Sequence, residues 1–106
     1  MSLKPTQRLK KRYIHFTFSG DSTKDELSRA IHLYALNFFG EYGLSKRTIK
    51  LLEFNGREGI LLVERGALEE VLGMLALITE VNDRPARITA DATSGTMKAL
   101  RDKEKA

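Results

Sequence analysis

Three features of this 106-residue chain predict an α+β sandwich with the order β-α-β-β-α-β and a short closing helix. Residues 12–20, "RYIHFTFSG", alternate apolar and polar side chains, the period of a half-buried strand. Two further apolar runs flank Asn55-Gly56, a strong short-range hairpin signal. Between and after these strands lie two stretches with helical spacing.

The first strand directs Ile14, Phe16 and Phe18 to one face and Tyr13, His15 and Thr17 to the other. Ser22/Thr23, with Glu26 three residues beyond Thr23, is a capping-box signature opening a helix. That helix is expected to run to Phe39–Tyr42 and to stop at Gly40 or Gly43. Its core stripe reads Leu27, Ile31, Tyr34, Ala35, Phe38 and Tyr42, with Leu33, Leu36 and Phe39 on the opposite side. A helix apolar nearly all round is covered on both sides, so Leu33, Leu36 and Phe39 are candidates for a protein interface. The alternative is that they are hidden within the monomer.

"TIKLLEF" (48–54) and "GILLVE" (59–64) are the hairpin strands. Ile60-Leu61-Leu62-Val63 is apolar on both faces, so something should cover the second face of the sheet, in part Met97 and Leu100 of the closing helix. "ALEEVLGMLALIT" (67–79) is a helix with Leu68, Val71, Leu72, Leu75 and Ile78 on one stripe. Asn82-Asp83 then turns the chain into a fourth strand over 84–92, and Ser94 is an expected N-cap for the third helix. The first six elements form the split βαβ, or ferredoxin-like, pattern shared with RRM-like domains: a four-stranded antiparallel sheet with both helices on one face. The expected organisation is a basic N-terminal arm (1–11), a ferredoxin-like βαββαβ domain (12–93) and a basic C-terminal helix or tail (94–106).

Charge is distributed unevenly. Residues 1–12 hold five Lys/Arg and no acid, and residues 94–106 hold four Lys/Arg against two acids. The body between them has nine Lys/Arg against twelve Asp/Glu. Two basic ends on a mildly acidic body suggest a polyanionic partner, although charged ends also simply confer solubility. The phosphate-contact candidates are Lys10, Lys11, Arg12, Ser94, Lys98, Arg101 and Lys105, with Lys46 and Arg47 in the loop after the first helix. On a helix, Lys98, Arg101 and Lys105 share one arc, and the free N–H groups of its first turn can receive an anion.

Catalytic constellations are not legible. His15 and His32 are the two histidines, without a carboxylate at ligand spacing in sequence, and cysteine is absent. Asp25-Glu26 and Glu69-Glu70 fit first helical turns, where negative charge meets the helix dipole. Neither a G-x-x-x-x-G-K-[ST] nor a G-x-G-x-x-G motif is present. The third strand, "REGILLVE", lacks the aromatics that stack bases in RNA-recognition motifs, leaving Tyr13 and at most His15 as a platform. RNA contact would therefore act on phosphates, through the ends and loops. With no membrane-spanning apolar run and no signal-peptide pattern, a cytoplasmic protein is expected.

Four stretches carry a resemblance: "LKKRYIHF" (9–16), "FGEYGLSK" (39–46), "FNGREGIL" (54–61), and "LALITEVNDRPARI" followed by "SGTMKALR" (75–88 and 94–101). Taken in order they cover nearly the whole chain, and the sequence resembles the ribonuclease P protein component 2 family of archaea, which has a eukaryotic counterpart. That resemblance implies a non-catalytic subunit supporting the catalytic RNA in removal of the 5′ leader from precursor transfer RNA. It also implies association with ribonuclease P protein component 3 and self-association in a two-plus-two assembly. No cofactor is expected on this chain, with magnesium held by the RNA. The family has no catalytic motif to carry over, so the phosphate-contact candidates rest on charge and position. The competing reading is a ferredoxin-like regulatory module that dimerises and binds a small molecule.

Overall fold

The structure is a computed structural model that describes residues 10–45 and 47–100. Its order is β1 (Lys11–Ser19), α1 (Lys24–Ser45), β2 (Ile49–Phe54), β3 (Glu58–Glu64), α2 (Leu68–Ala76), β4 (Glu80–Val81), β5 (Arg84–Pro85) and β6 (Arg87–Ser94). A helical turn, 97–100, follows β6. The main sheet is antiparallel with the order β2-β3-β1-β6, and it is the expected ferredoxin-like sheet.

The alternation of β1 decides which face is core. Ile14 and Phe16 are fully buried, and Phe18 nearly so, against Leu27, Ile31 and Ala35 of α1 and Val71, Met74 and Leu75 of α2. Leu61 and Val63 of β3 and Ile88 of β6 complete this layer. Phe54 stacks on Phe16, with centroids 6.2 Å apart, and meets Phe18 edge-on at 5.4 Å. Gly59 lies opposite Phe16 in the ladder, and the ring occupies the space that a Cβ would need.

The capping box of α1 forms as expected. The Glu26 N–H donates to Thr23 Oγ1 at 3.2 Å, and the Thr23 N–H donates to Glu26 Oε1 at 3.0 Å. The helix breaks at Gly40, whose φ of 76° is costly for any residue with a Cβ. Its packing face differs from the expected stripe. The contact row advances in steps of four, Leu27, Ile31, Ala35 and then half-buried Phe39. Phe38 (44% exposed) and Tyr42 (74%) therefore fall outside the core, and Phe39, expected on the far side, turns inward.

Two turns exchange the roles their sequences suggest. Asn55-Gly56 does join β2 to β3, but only Gly56 has positive φ, and Asn55 Oδ1 accepts from the N–H groups of Arg57 (2.9 Å) and Glu58 (2.8 Å). Asn82 and Asp83, with φ of 54° and 63°, form the tight turn with both central residues left-handed. That turn closes the small β4–β5 ladder, Glu80 opposite Pro85 and Val81 opposite Arg84, so the fourth sheet strand starts at Arg87 and not at Arg84. The N-cap expectation for Ser94 is likewise corrected. Ser94 ends β6 with its hydroxyl accepting from the Thr96 N–H, and Thr96 caps the final turn by accepting from the Ala99 N–H at 3.1 Å. The ladder with Tyr13 holds Ser94 in strand conformation, which delays the helix by two residues.

The second face of the sheet is largely covered. Ile60 and Leu100 are buried yet stand apart from the main core cluster, and Tyr13 and Leu62 are half-buried. Ile60 pairs with His15 in the ladder and so lies on the face away from the helices. Leu100, only six residues past β6, is fully buried.

Candidate nucleic-acid interface

Antiparallel pairing brings to one end of the sheet the start of β2, the end of β3, the start of β1 and the end of β6. The register places Lys11 opposite Glu64 and Tyr13 opposite Ser94. The two basic segments, far apart in sequence, therefore meet. Arg12 marks the junction: its Nη1 donates to the Lys11 carbonyl at 2.8 Å and lies 3.3 Å from where a Cβ on Gly95 would stand.

Lys10 and Lys98 are exposed and Lys11 half-exposed, and among the described residues none of the three makes an ion pair. Arg65 joins them. It follows β3 directly, its side chain is exposed, and its N–H donates to the Lys10 carbonyl at 2.5 Å. An arginine between Glu64 and Gly66 carries no local signal, so the sequence alone does not mark Arg65. The antiparallel β1–β3 pairing, already implied by the fold class, would have placed it beside Lys10.

The remaining candidates separate. Arg47 reaches this end of the sheet but is committed there. Its guanidinium donates to the Gly43 carbonyl at 2.8 Å, pairs with Glu70 at 3.4 Å and sits 4.6 Å from the centre of the Phe39 ring. A half-buried cation so engaged joins the end of α1 to the start of α2, a packing role that a loop position did not suggest. The Ser94 side chain is buried and turned to the Thr96 N–H. Lys46, Arg101 and Lys105 lie outside the described residues. Of the interface candidates, Leu33 is 55% exposed, whereas Leu36 and Phe39 are half-buried.

Chemistry for catalysis does not assemble among the described residues. His15 is 7% exposed, with Nδ1 3.2 Å from Asp91 Oδ2 and Nε2 3.9 Å from Glu58 Oε1, two carboxylates remote in sequence. The β-bulge that sets Asp91 between the pairs His15–Ala92 and Phe16–Ala90 aims this carboxylate at both His15 and Thr17. This is a histidine buried in a sheet between two carboxylates. Among the described residues no group of three or more His, Asp or Glu is placed to hold a metal ion. An open cavity of about 780 Å³ between α2 and β6 is lined by Leu72, Leu75, Ile78 and Ile88, with Arg87 its one ionisable lining residue. No described helix is long and apolar enough to cross a membrane.

The Rpp14/Pop5 family model matches residues 12–104. The chain belongs to the Rpp14/Pop5 family. Among its relatives, the "Ribonuclease P protein component 2" of Pyrococcus furiosus is 35% identical over 96% of this chain and 88% of its own length. The protein of the same name from Thermococcus gammatolerans is 36% identical over 95% and 88%. That of Archaeoglobus fulgidus is 35% identical over 95% and 94%. A chain in the cryo-EM structure of yeast ribonuclease MRP superposes with a TM-score of 0.70 over 92% of both chains at 7% identity, a likeness of fold. The Rpp14/Pop5 assignment agrees with the ferredoxin-like sheet. The small-molecule alternative finds no support in these relatives.

Proposed function

We propose that this chain works as a protein subunit of ribonuclease P, binding the catalytic RNA through the basic end of its sheet. The chain is a non-catalytic part of an endoribonuclease, and phosphodiester cleavage at the 5′ leader of precursor transfer RNA falls to the RNA with its bound magnesium. The observation that carries the RNA-contact reading is the convergence of Lys10, Lys11, Arg12 and Lys98 from opposite ends of the sequence onto one sheet end. Cations so grouped, of which Lys10, Lys11 and Lys98 make no ion pair among the described residues, attract a phosphate backbone and release its counterions on binding. The covered second face, with His15 and Ile60 buried, argues for phosphate contact over base stacking.

Leu33, which stands exposed on α1, and its neighbour Leu36 supply apolar surface for a protein partner, read as component 3 or a second copy in a two-plus-two assembly. Reconstitution tests the whole reading: cleavage of precursor transfer RNA by the cognate RNA and component 3, with and without this chain. Omission should slow leader release at moderate magnesium. An unchanged rate would refute the subunit assignment.

A further inference from the structure

We propose that Arg65 is an RNA phosphate contact that completes a row of cations across β3, β1 and the segment after β6. The proposal rests on the RNA-subunit reading above and adds to it a residue and a class of ligand: the sugar–phosphate backbone of folded RNA.

The backbone of Arg65 is anchored on both sides. Its N–H donates to the Lys10 carbonyl, and its carbonyl accepts from the Leu68 N–H, closing a 3-10 turn over Arg65–Ala67. Ala67 is buried beneath that turn. The side chain is exposed and, among the described residues, meets neither an acid nor a ring. A guanidinium on a fixed backbone with its five donors uncommitted is well suited to phosphate oxygens.

The neighbours of Arg65 decide what it can bind. Lys10 and Lys11 stand one strand away, and Arg12 touches the turn leading to Lys98 one strand further. Two strand spacings make this row about 10 Å wide, broader than a single anion requires and suited to consecutive phosphates. The acids at this end are partly engaged already, Glu70 by Arg47 and Glu64 by the Thr48 hydroxyl. The opposite end of the sheet differs, since Arg57, Arg84 and Arg87 stand there with Asp21, Glu53 and Glu58, and Arg84 pairs with Asp21 at 3.1 Å. The molecule is thus electrically polarised along its strands, and Arg65 lies on the positive end.

The test measures binding of the full chain to in vitro transcribed Pyrococcus furiosus ribonuclease P RNA over a salt series, for wild type, Arg65→Gln, Lys11→Gln and Arg57→Gln. Circular dichroism confirms that each variant is folded. Arg65→Gln and Lys11→Gln should each flatten the plot of log affinity against log salt by about 0.7–0.9, one phosphate contact each. Arg57→Gln, at the opposite end, should leave the slope unchanged. An unaltered slope for Arg65→Gln beside a flattened one for Lys11→Gln overturns the Arg65 assignment and leaves the RNA reading standing. Equal flattening by Arg57→Gln overturns the polarity argument and the assignment with it. Salt-independent binding, or none, by the wild-type chain overturns the RNA reading itself.

Discussion

Leu100→Ala tests whether the end of the chain is part of the folded domain. Leu100 is fully buried although it lies only six residues beyond the last strand, and it is separate from the main core cluster. Truncation removes three carbons from a dry site and leaves a cavity, which costs about 2–5 kcal/mol for a buried leucine. The lower half of that range applies, because a segment beyond the sheet can settle into the space more readily than a layer between helix and sheet. At about 4–8 °C per kcal/mol for a domain near this size, the melting temperature should fall by about 10–20 °C. Thermal unfolding followed by circular dichroism reads the shift directly. A double-mutant cycle with Ile60→Ala reads the partner, with a coupling of about 0.5 kcal/mol or more if the two side chains share the second face. A fall of less than about 2 °C would refute the burial argument, and additive losses would move Leu100 off Ile60. The result bears on function, because the same turn carries Lys98, three residues beyond the Gly95 that lies against Arg12.

Gly59→Ala should destabilise by about 2 kcal/mol or more in chemical denaturation, since the new Cβ would lie 2.7 Å from the Glu53 carbonyl oxygen and 2.8 Å from Phe16 Cε1. Gly73→Ala, on exposed α2 with open space around it, should instead stabilise by about 0.5–1 kcal/mol, and the opposite ranking would refute the packing of Phe16. The Thr23 N–H, with help from the Thr23 hydroxyl, Arg84 and Asn82, holds the Glu26 carboxyl below its ordinary value of 4.5. A depressed carboxyl stabilises the fold above its unfolded value, and that contribution is lost as pH falls through 4.5 and below. The melting-temperature advantage of wild type over Glu26→Gln should accordingly be present at neutral pH and vanish in acid, whereas a pH-independent gap would exclude the capping carboxylate as its source. Leu33→Asp, on the exposed side of α1, should leave the monomer folded and weaken co-purification with component 3 or self-association in sedimentation, and unfolding would show that this side is core.

Local signals resolved most of the fold, and charge marked Lys10, Lys11, Arg12 and Lys98 as candidates without marking Arg65. The alternation of β1, the Thr23–Glu26 box and the glycine break in α1 are short-range patterns, and each formed where its residues place it. The misreadings arose where tertiary contact overrode local preference. Phe39 and Tyr42 traded places because a single helical periodicity does not carry through the break at Gly40, and the packing partners of α1 choose which side is covered. Ser94 yielded the cap to Thr96 because pairing with Tyr13 extended the strand. His15 gained Asp91 and Glu58 as neighbours through strand register and a bulge, both long-range properties.

By itself, the sequence determined the class of fold, the family, and the want of a recognisable catalytic motif, because periodicity, caps and residue types are properties of neighbouring residues. It also held two basic ends without saying how they lie relative to each other. The tertiary structure brings their described residues to one end of the sheet. Because β1 pairs with both β3 and β6 in antiparallel fashion, the start of one strand is forced beside the ends of two others, and Lys10, Arg12, Arg65 and Lys98 become one surface.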